Sequence, residues 1–176
     1  WIGTDGMSYY GCAYPIYSLF LTVSTAGIPV AISKLVAEYN SKNQRYDSKK
    51  LLKTSILFLT IISLIGSVLV VLGAKLIAGW QGNAGGYICY YGIAPAILFV
   101  GVLSAFRGYF QGNLLMFPTA ISGLVEQVIK LVFGLYFASE FIVYGTQYAV
   151  FGALLGVSIS ELFAFVFLLI TYLAYS

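Results

Sequence analysis

Charge is so unevenly placed in this chain that it settles the kind of solvent the fold must meet. There are nine basic and six acidic residues in 176 positions. Lys42, Arg45, Asp47, Lys49, Lys50 and Lys53 fall in one short stretch, and long segments almost free of charge run on either side. Such a pattern reads as membrane spans joined by a basic loop, and Lys and Arg near span ends resist translocation. The loop at 40–53 is therefore expected on the cytoplasmic side. Every other connection can be oriented from it.

Composition agrees. The chain is 60% hydrophobic and 9% charged, with mean hydropathy +0.93, whereas a soluble domain carries about a quarter charged residues. The net charge of +3 comes mostly from the one loop, so it is no sign of nucleic-acid binding. The chain has no His, which excludes a His-based metal site and a Ser-His-Asp triad. Cys12 and Cys89 are far apart in or near apolar segments and read as free buried thiols. No Walker motif, acidic metal cluster or nucleophile elbow is present, so neither an enzyme nor a cofactor is expected. The chain opens on Trp1 without a signal peptide, and the start of the natural protein is expected to lie upstream.

A span needs about 20 apolar residues, and five segments qualify, at about 8–39, 53–78, 86–107, 114–139 and 147–174. The first is interrupted by Pro15, Gly27 and Pro29. In the second, Ser55–Ala74 has no charged residue. With the basic loop inside, residues 1–7 and the connections near 79–85 and 140–146 lie outside. The connection near 108–113 and the C-terminus lie inside. Period-two alternation is absent, which argues against a membrane β-barrel. The expected class is an all-α integral membrane protein of five spans, because helices satisfy their own backbone groups in hydrocarbon.

Polar residues within spans are costly and usually face a bundle interior or a wet cavity. In the first span Ser18, Thr22, Thr25, Pro29 and Ser33 recur at helical spacing, followed by Lys34 and Glu38. They line a cavity, or the hydroxyls bond their own helix while Lys34 snorkels to the interface. In the fourth, Thr119, Ser122, Glu126 and Lys130 share a face with Gln127 beside them. Glu before Lys at i,i+4 is the favourable order for a helical ion pair. A pair explains why the charges are tolerated but not why they are present, which favours a hydrophilic cavity. In the fifth, Glu161 stands near mid-span with Ser158 and Ser160, as a proton-binding group or an inter-helix hydrogen-bond donor. Gly152, Gly156 and Ser160 form a small-residue face suited to close helix packing.

Three stretches together are specific: YPIYSLFLTVSTAGIPVAISKLVAEY at 14–39, APAILFVGVLSAFRGYFQG at 94–112 and PTAISGLVEQVIKLVFGL at 118–135. They resemble the stage V sporulation protein B branch of polysaccharide-biosynthesis exporters. That branch lies in the multidrug/oligosaccharidyl-lipid/polysaccharide (MOP, MATE-like) flippase superfamily, beside the lipid II and O-antigen flippases. The resemblance implies two bundles of helices around a central cavity. Residues 1–176 would then form most of the N-terminal bundle, without its first helix and without the C-terminal bundle. It also implies a flippase or exporter of a lipid-linked oligosaccharide, such as a polyprenyl-diphosphate sugar of cell-wall or capsule synthesis. Such a protein works by alternating access in the bacterial plasma membrane, with membrane lipids and this cargo as partners. Lys34, Arg107 and Lys130 are the cations that could meet a diphosphate, although Arg107 could equally anchor the interface. The rival of the same superfamily is a cation-coupled multidrug antiporter, in which Glu126 or Glu161 would bind H⁺ or Na⁺. A non-transporting scaffold for cell-wall synthesis is the third possibility.

Overall fold

The computed structural model describes residues 3–82 and 84–175. The described residues form helices and short connections only. Helix α1 (Gly3–Thr22) passes through a π-helical turn (Val23–Gly27) into α2 (Ile28–Ser41). The others are α3 (Arg45–Trp80), α4 (Tyr87–Gly112), α5 (Met116–Phe141) and α6 (Thr146–Tyr175). Single 3₁₀ turns at Ala84–Gly86 and Ile142–Tyr144 lead into α4 and out of α5.

Four of these helices, α3 to α6, are long and apolar enough to cross a membrane. The first expected span differs. It is a pair of shorter helices with a π turn between them, because Pro29 enters at the start of α2 and has no N–H to donate to the turn before it. Pro15 sits inside α1 without ending it. The basic segment differs too. Only residues 42–44 leave the helical path, and Asp47, Lys49, Lys50 and Lys53 ride on the opening turns of α3. Lys and Arg are good helix formers, and Asp47 in the first turn suits the positive end of the helix dipole. At 36 residues, α3 is about 54 Å long at 1.5 Å per residue. It therefore overshoots a hydrocarbon core of about 30 Å and holds its cations beyond it.

Helix α4 is the hub, packed against α1, α2, α3 and α6, while α5 packs chiefly on α6. Small residues allow this. A Cβ at Gly112 would lie 2.7 Å from the Ser33 carbonyl of α2, and one at Gly108 would lie 2.9 Å from that of Pro29. On α6, a Cβ at Gly152 would lie 2.7 Å from the Phe137 carbonyl, and one at Gly156 would collide with Gly134 of α5. Gly152 and Gly156 thus let α5 and α6 touch backbone to backbone. Ser160, on the same small-residue face, is buried and donates to its own Val157 carbonyl.

The apolar interior has two clusters. One centres on Tyr17, Tyr90, Ile93 and Leu154; the other centres on Val36, Phe106, Phe110 and Leu168. Glu161 falls on α6 between Val157 of the first cluster and Ala164 of the second. The connections sort to opposite ends. Asn40 Nδ2 donates to Asn113 Oδ1 at 3.0 Å, tying the end of α2 to the α4–α5 turn. Tyr175 joins them in lining one cleft. At the far end Tyr90 donates to Gln81 Oε1 at 2.6 Å, and Gly85 lies beside Gln147.

Candidate functional site

Ionisable side chains meet in the middle of this bundle. Glu126 is on α5, one turn after the buried Ser122, and its side chain is 5% exposed. Arg107 of α4 donates from Nη2 to Glu126 Oε2 at 2.8 Å. Lys130, one turn further along α5, donates from Nζ to Oε1 at 2.9 Å. Each carboxylate oxygen therefore holds one cation. The Lys130 ammonium also lies 5.9 Å from the centre of the Tyr17 ring, within reach of a cation–π attraction. The Tyr17 hydroxyl, on α1, donates to Glu161 Oε1 of α6 at 2.5 Å. One network thus draws a side chain from each of α1, α4, α5 and α6.

The network is polar but incompletely satisfied. Arg107 Nε, Glu161 Oε2 and the hydroxyl of Thr119 are buried without a hydrogen-bond partner. Buried polar atoms normally find partners. Two cations share one carboxylate, while Glu161 meets a hydroxyl. Two cations and two carboxyl groups make up the network, with both cations gathered on Glu126 and an Arg whose planar donor set is only partly used. Such a site can accept an anion.

Of the residues expected to form the site, the structure brings together Arg107, Glu126, Lys130 and Glu161. The side chain of Arg107 is 13% exposed, as for a group inside the bundle rather than one anchored at its surface. Ser122 spends its hydroxyl on the Thr119 carbonyl. Ser18, Thr22 and Ser33 likewise donate to Pro15, Ser18 and Val30 of their own helices. Lys34 and Gln127 are exposed and stand apart from the network. The side chain of Thr25 lies outside the described residues. Tyr17 is the member that sequence reasoning missed. Its neighbour Ser18 drew attention as a polar residue at helical spacing, whereas a Tyr in an aromatic-rich helix gives no signal of its own. The Arg107–Glu126 pair was also not foreseen, since 19 positions and a turn separate the two residues.

Residues 1–175 match the family model described as "Polysaccharide biosynthesis protein". The chain is similar to the lipid II flippase MurJ of Bacillus subtilis (strain 168), at 33% identity over 173 residues, which covers 88% of this chain and 31% of that protein. It is also similar to stage V sporulation protein B of the same organism, at 32% identity over 172 residues, covering 97% of this chain and 33% of that protein. An uncharacterized membrane protein, YabM, also of that organism, is 34% identical over 130 residues, which is 74% of this chain and 24% of its own length. The chain spans about a third of the length of the first two relatives. No solved structure matches it.

Proposed function

The chain belongs to the polysaccharide biosynthesis protein family, and from that premise we propose that it is part of a flippase for a lipid-linked oligosaccharide. The proposed cargo is a polyprenyl-diphosphate sugar. Residues 1–176 would supply most of one helical bundle, with a second bundle completing the cavity. The observation that carries this reading is the pair of half-buried cations, Arg107 and Lys130, held on one buried carboxylate. A diphosphate cannot cross hydrocarbon unaided, because burying an unpaired charge is very costly. It needs cations already desolvated and aimed. Glu126 keeps them so when no cargo is present. An arriving diphosphate meets Lys130 as a point charge and takes over Arg107 by charge-assisted hydrogen bonds. Rocking of the two bundles then exposes the head on the other side while the lipid tail stays in the bilayer.

A transport measurement distinguishes this cargo from others. Full-length protein in liposomes is expected to flip a labelled polyprenyl-diphosphate sugar and to leave the same glycan on an uncharged dialkylglycerol in place. Equal movement of both lipids would remove the diphosphate from the recognition. A second reading, an antiporter coupled to H⁺ or Na⁺, is favoured by the unpaired Oε2 of Glu161. Accumulation of an organic cation without movement of the diphosphate lipid would select it.

For orientation, the cations on the first turns of α3 support a cytoplasmic position for residues 40–53 and the C-terminal end of α6 in the plasma membrane. In full-length protein lacking Cys12 and Cys89, a Cys replacing Ser41 should resist a membrane-impermeant maleimide in intact cells. A Cys replacing Gln81 should react. Equal labelling at the two positions would overturn this orientation.

A further inference from the structure

A cleft lies away from the ion network, at the end of the bundle that carries the basic residues. Its volume is about 870 Å³, within the range of about 300–1,000 Å³ for small-ligand sites. The end of α2, the opening of α3, the α4–α5 turn and the last residues of α6 enclose it. Its lining sets polar residues, Asn40, Asn43, Asn113, Ser41, Ser48 and Lys49, among apolar and aromatic ones.

Three features mark this cleft as a built site. Asn40 and Asn113 clasp each other across it at 3.0 Å, which fixes the distance between its walls. Ser48 is 2% exposed, and its hydroxyl has no hydrogen-bond partner. A buried hydroxyl is normally satisfied, so this one is left for a ligand. Among the described residues, the two non-glycine residues with left-handed backbone are Asn43 at φ 58° and Leu114 at φ 62°, and both line the cleft. Asn tolerates that conformation, but for a bulky residue such as Leu it is an outlier, and strain of this kind gathers at ligand clamps.

We propose that this cleft binds the phosphate-bearing, hydroxyl-rich head of a membrane lipid. Lys49 meets the phosphate as a point charge, and the Ser48 hydroxyl with the amide of Asn43 meets the hydroxyls. Basic pockets between spans at the cytoplasmic face favour anionic heads. Leu114 in the lining and Phe117 three residues on, 84% and 75% exposed, offer apolar surface to the tail. Two lipids have this chemistry: a polyprenyl-diphosphate sugar waiting to be carried, and a resident glycerophospholipid such as phosphatidylglycerol. The first source rests on the flippase reading; the second does not.

The test uses full-length protein with a benzophenone amino acid in place of Ala37, which is exposed and lines the cleft. Vesicles of phosphatidylcholine carry one labelled probe: a polyprenyl-diphosphate disaccharide, phosphatidylglycerol, or phosphatidylcholine itself. Photocapture of either phosphate-and-hydroxyl head should exceed that of phosphatidylcholine. Lys49→Gln should lower it about fivefold, the factor for one basic residue near an anionic surface. Ser48→Ala, a smaller change in the same wall, should lower it with no change in thermal stability. Capture of the diphosphate sugar assigns the cleft to cargo loading, and capture of phosphatidylglycerol alone assigns it to a resident lipid. Equal capture of phosphatidylcholine, or capture indifferent to both substitutions, would overturn the proposal. Flipping is measured in the same vesicles. Flipping without selective capture removes the cleft and keeps the flippase; capture without flipping does the reverse.

Discussion

Glu126→Ala in the full-length protein is expected to lower stability by about 3–5 kcal/mol, the cost of removing one partner from a buried ion pair. The reason is geometric. Both oxygens of Glu126 are occupied, one by Arg107 at 2.8 Å and the other by Lys130 at 2.9 Å. Taking the carboxylate away leaves two cations facing each other in a protein interior. Thermal unfolding in lipid nanodiscs would read this as a large drop. Replacing all three groups together, as Arg107→Met, Glu126→Leu and Lys130→Met, should return stability close to the wild-type value, because apolar side chains of similar size often match or exceed a buried ion cluster. The same triple variant should transport nothing. A network kept for stability alone would show the opposite pairing, with the triple variant still active. A Glu126→Ala protein as stable as wild type would mean that water reaches the cations and that the site is not desolvated.

The sequence carried the class of the molecule clearly and the wiring of its centre only in part. Long uncharged runs such as Ser55–Ala74 need no partner to be read, since length and hydropathy alone call for helices in hydrocarbon. The Glu126–Lys130 pair was legible for the same reason: it is local, one helical turn apart. The contacts that complete the network are not local. Arg107 reaches Glu126 from another helix, and Tyr17 reaches Glu161 across 144 positions. Nothing in periodicity announces either contact. The polar stripe of α1 and α2 shows the limit in the other direction. Ser18, Thr22 and Ser33 have cavity-like spacing, yet their hydroxyls close onto carbonyls three or four residues back. Spacing places a hydroxyl on a face but does not say which acceptor it takes. The basic segment misled through composition. Its cations looked like a loop, but most of them extend α3 past the hydrocarbon boundary.

The clean separation between structure and transport comes at Lys130. Its removal leaves Arg107 and Glu126 as a matched pair, so stability should hold where that of Glu126→Ala falls. The side chain is 19% exposed, which makes it the more open of the two cations and the first that an entering diphosphate would meet. Losing it removes a hydrogen bond to a charged group, worth about 1.5–3 kcal/mol, or roughly a tenfold change or more in rate if the contact is made while the cargo crosses. Arg at the same position keeps the charge with a different shape and should hold part of the activity. The decisive measurement is therefore the flipping rate of a labelled polyprenyl-diphosphate sugar in liposomes holding equal amounts of full-length wild type, Lys130→Arg and Lys130→Gln. The expected order is wild type, then Arg, then Gln, with Gln reduced about tenfold or more. Transport by Lys130→Gln at the wild-type rate would show that the cations on Glu126 hold the bundle together and do not touch the cargo.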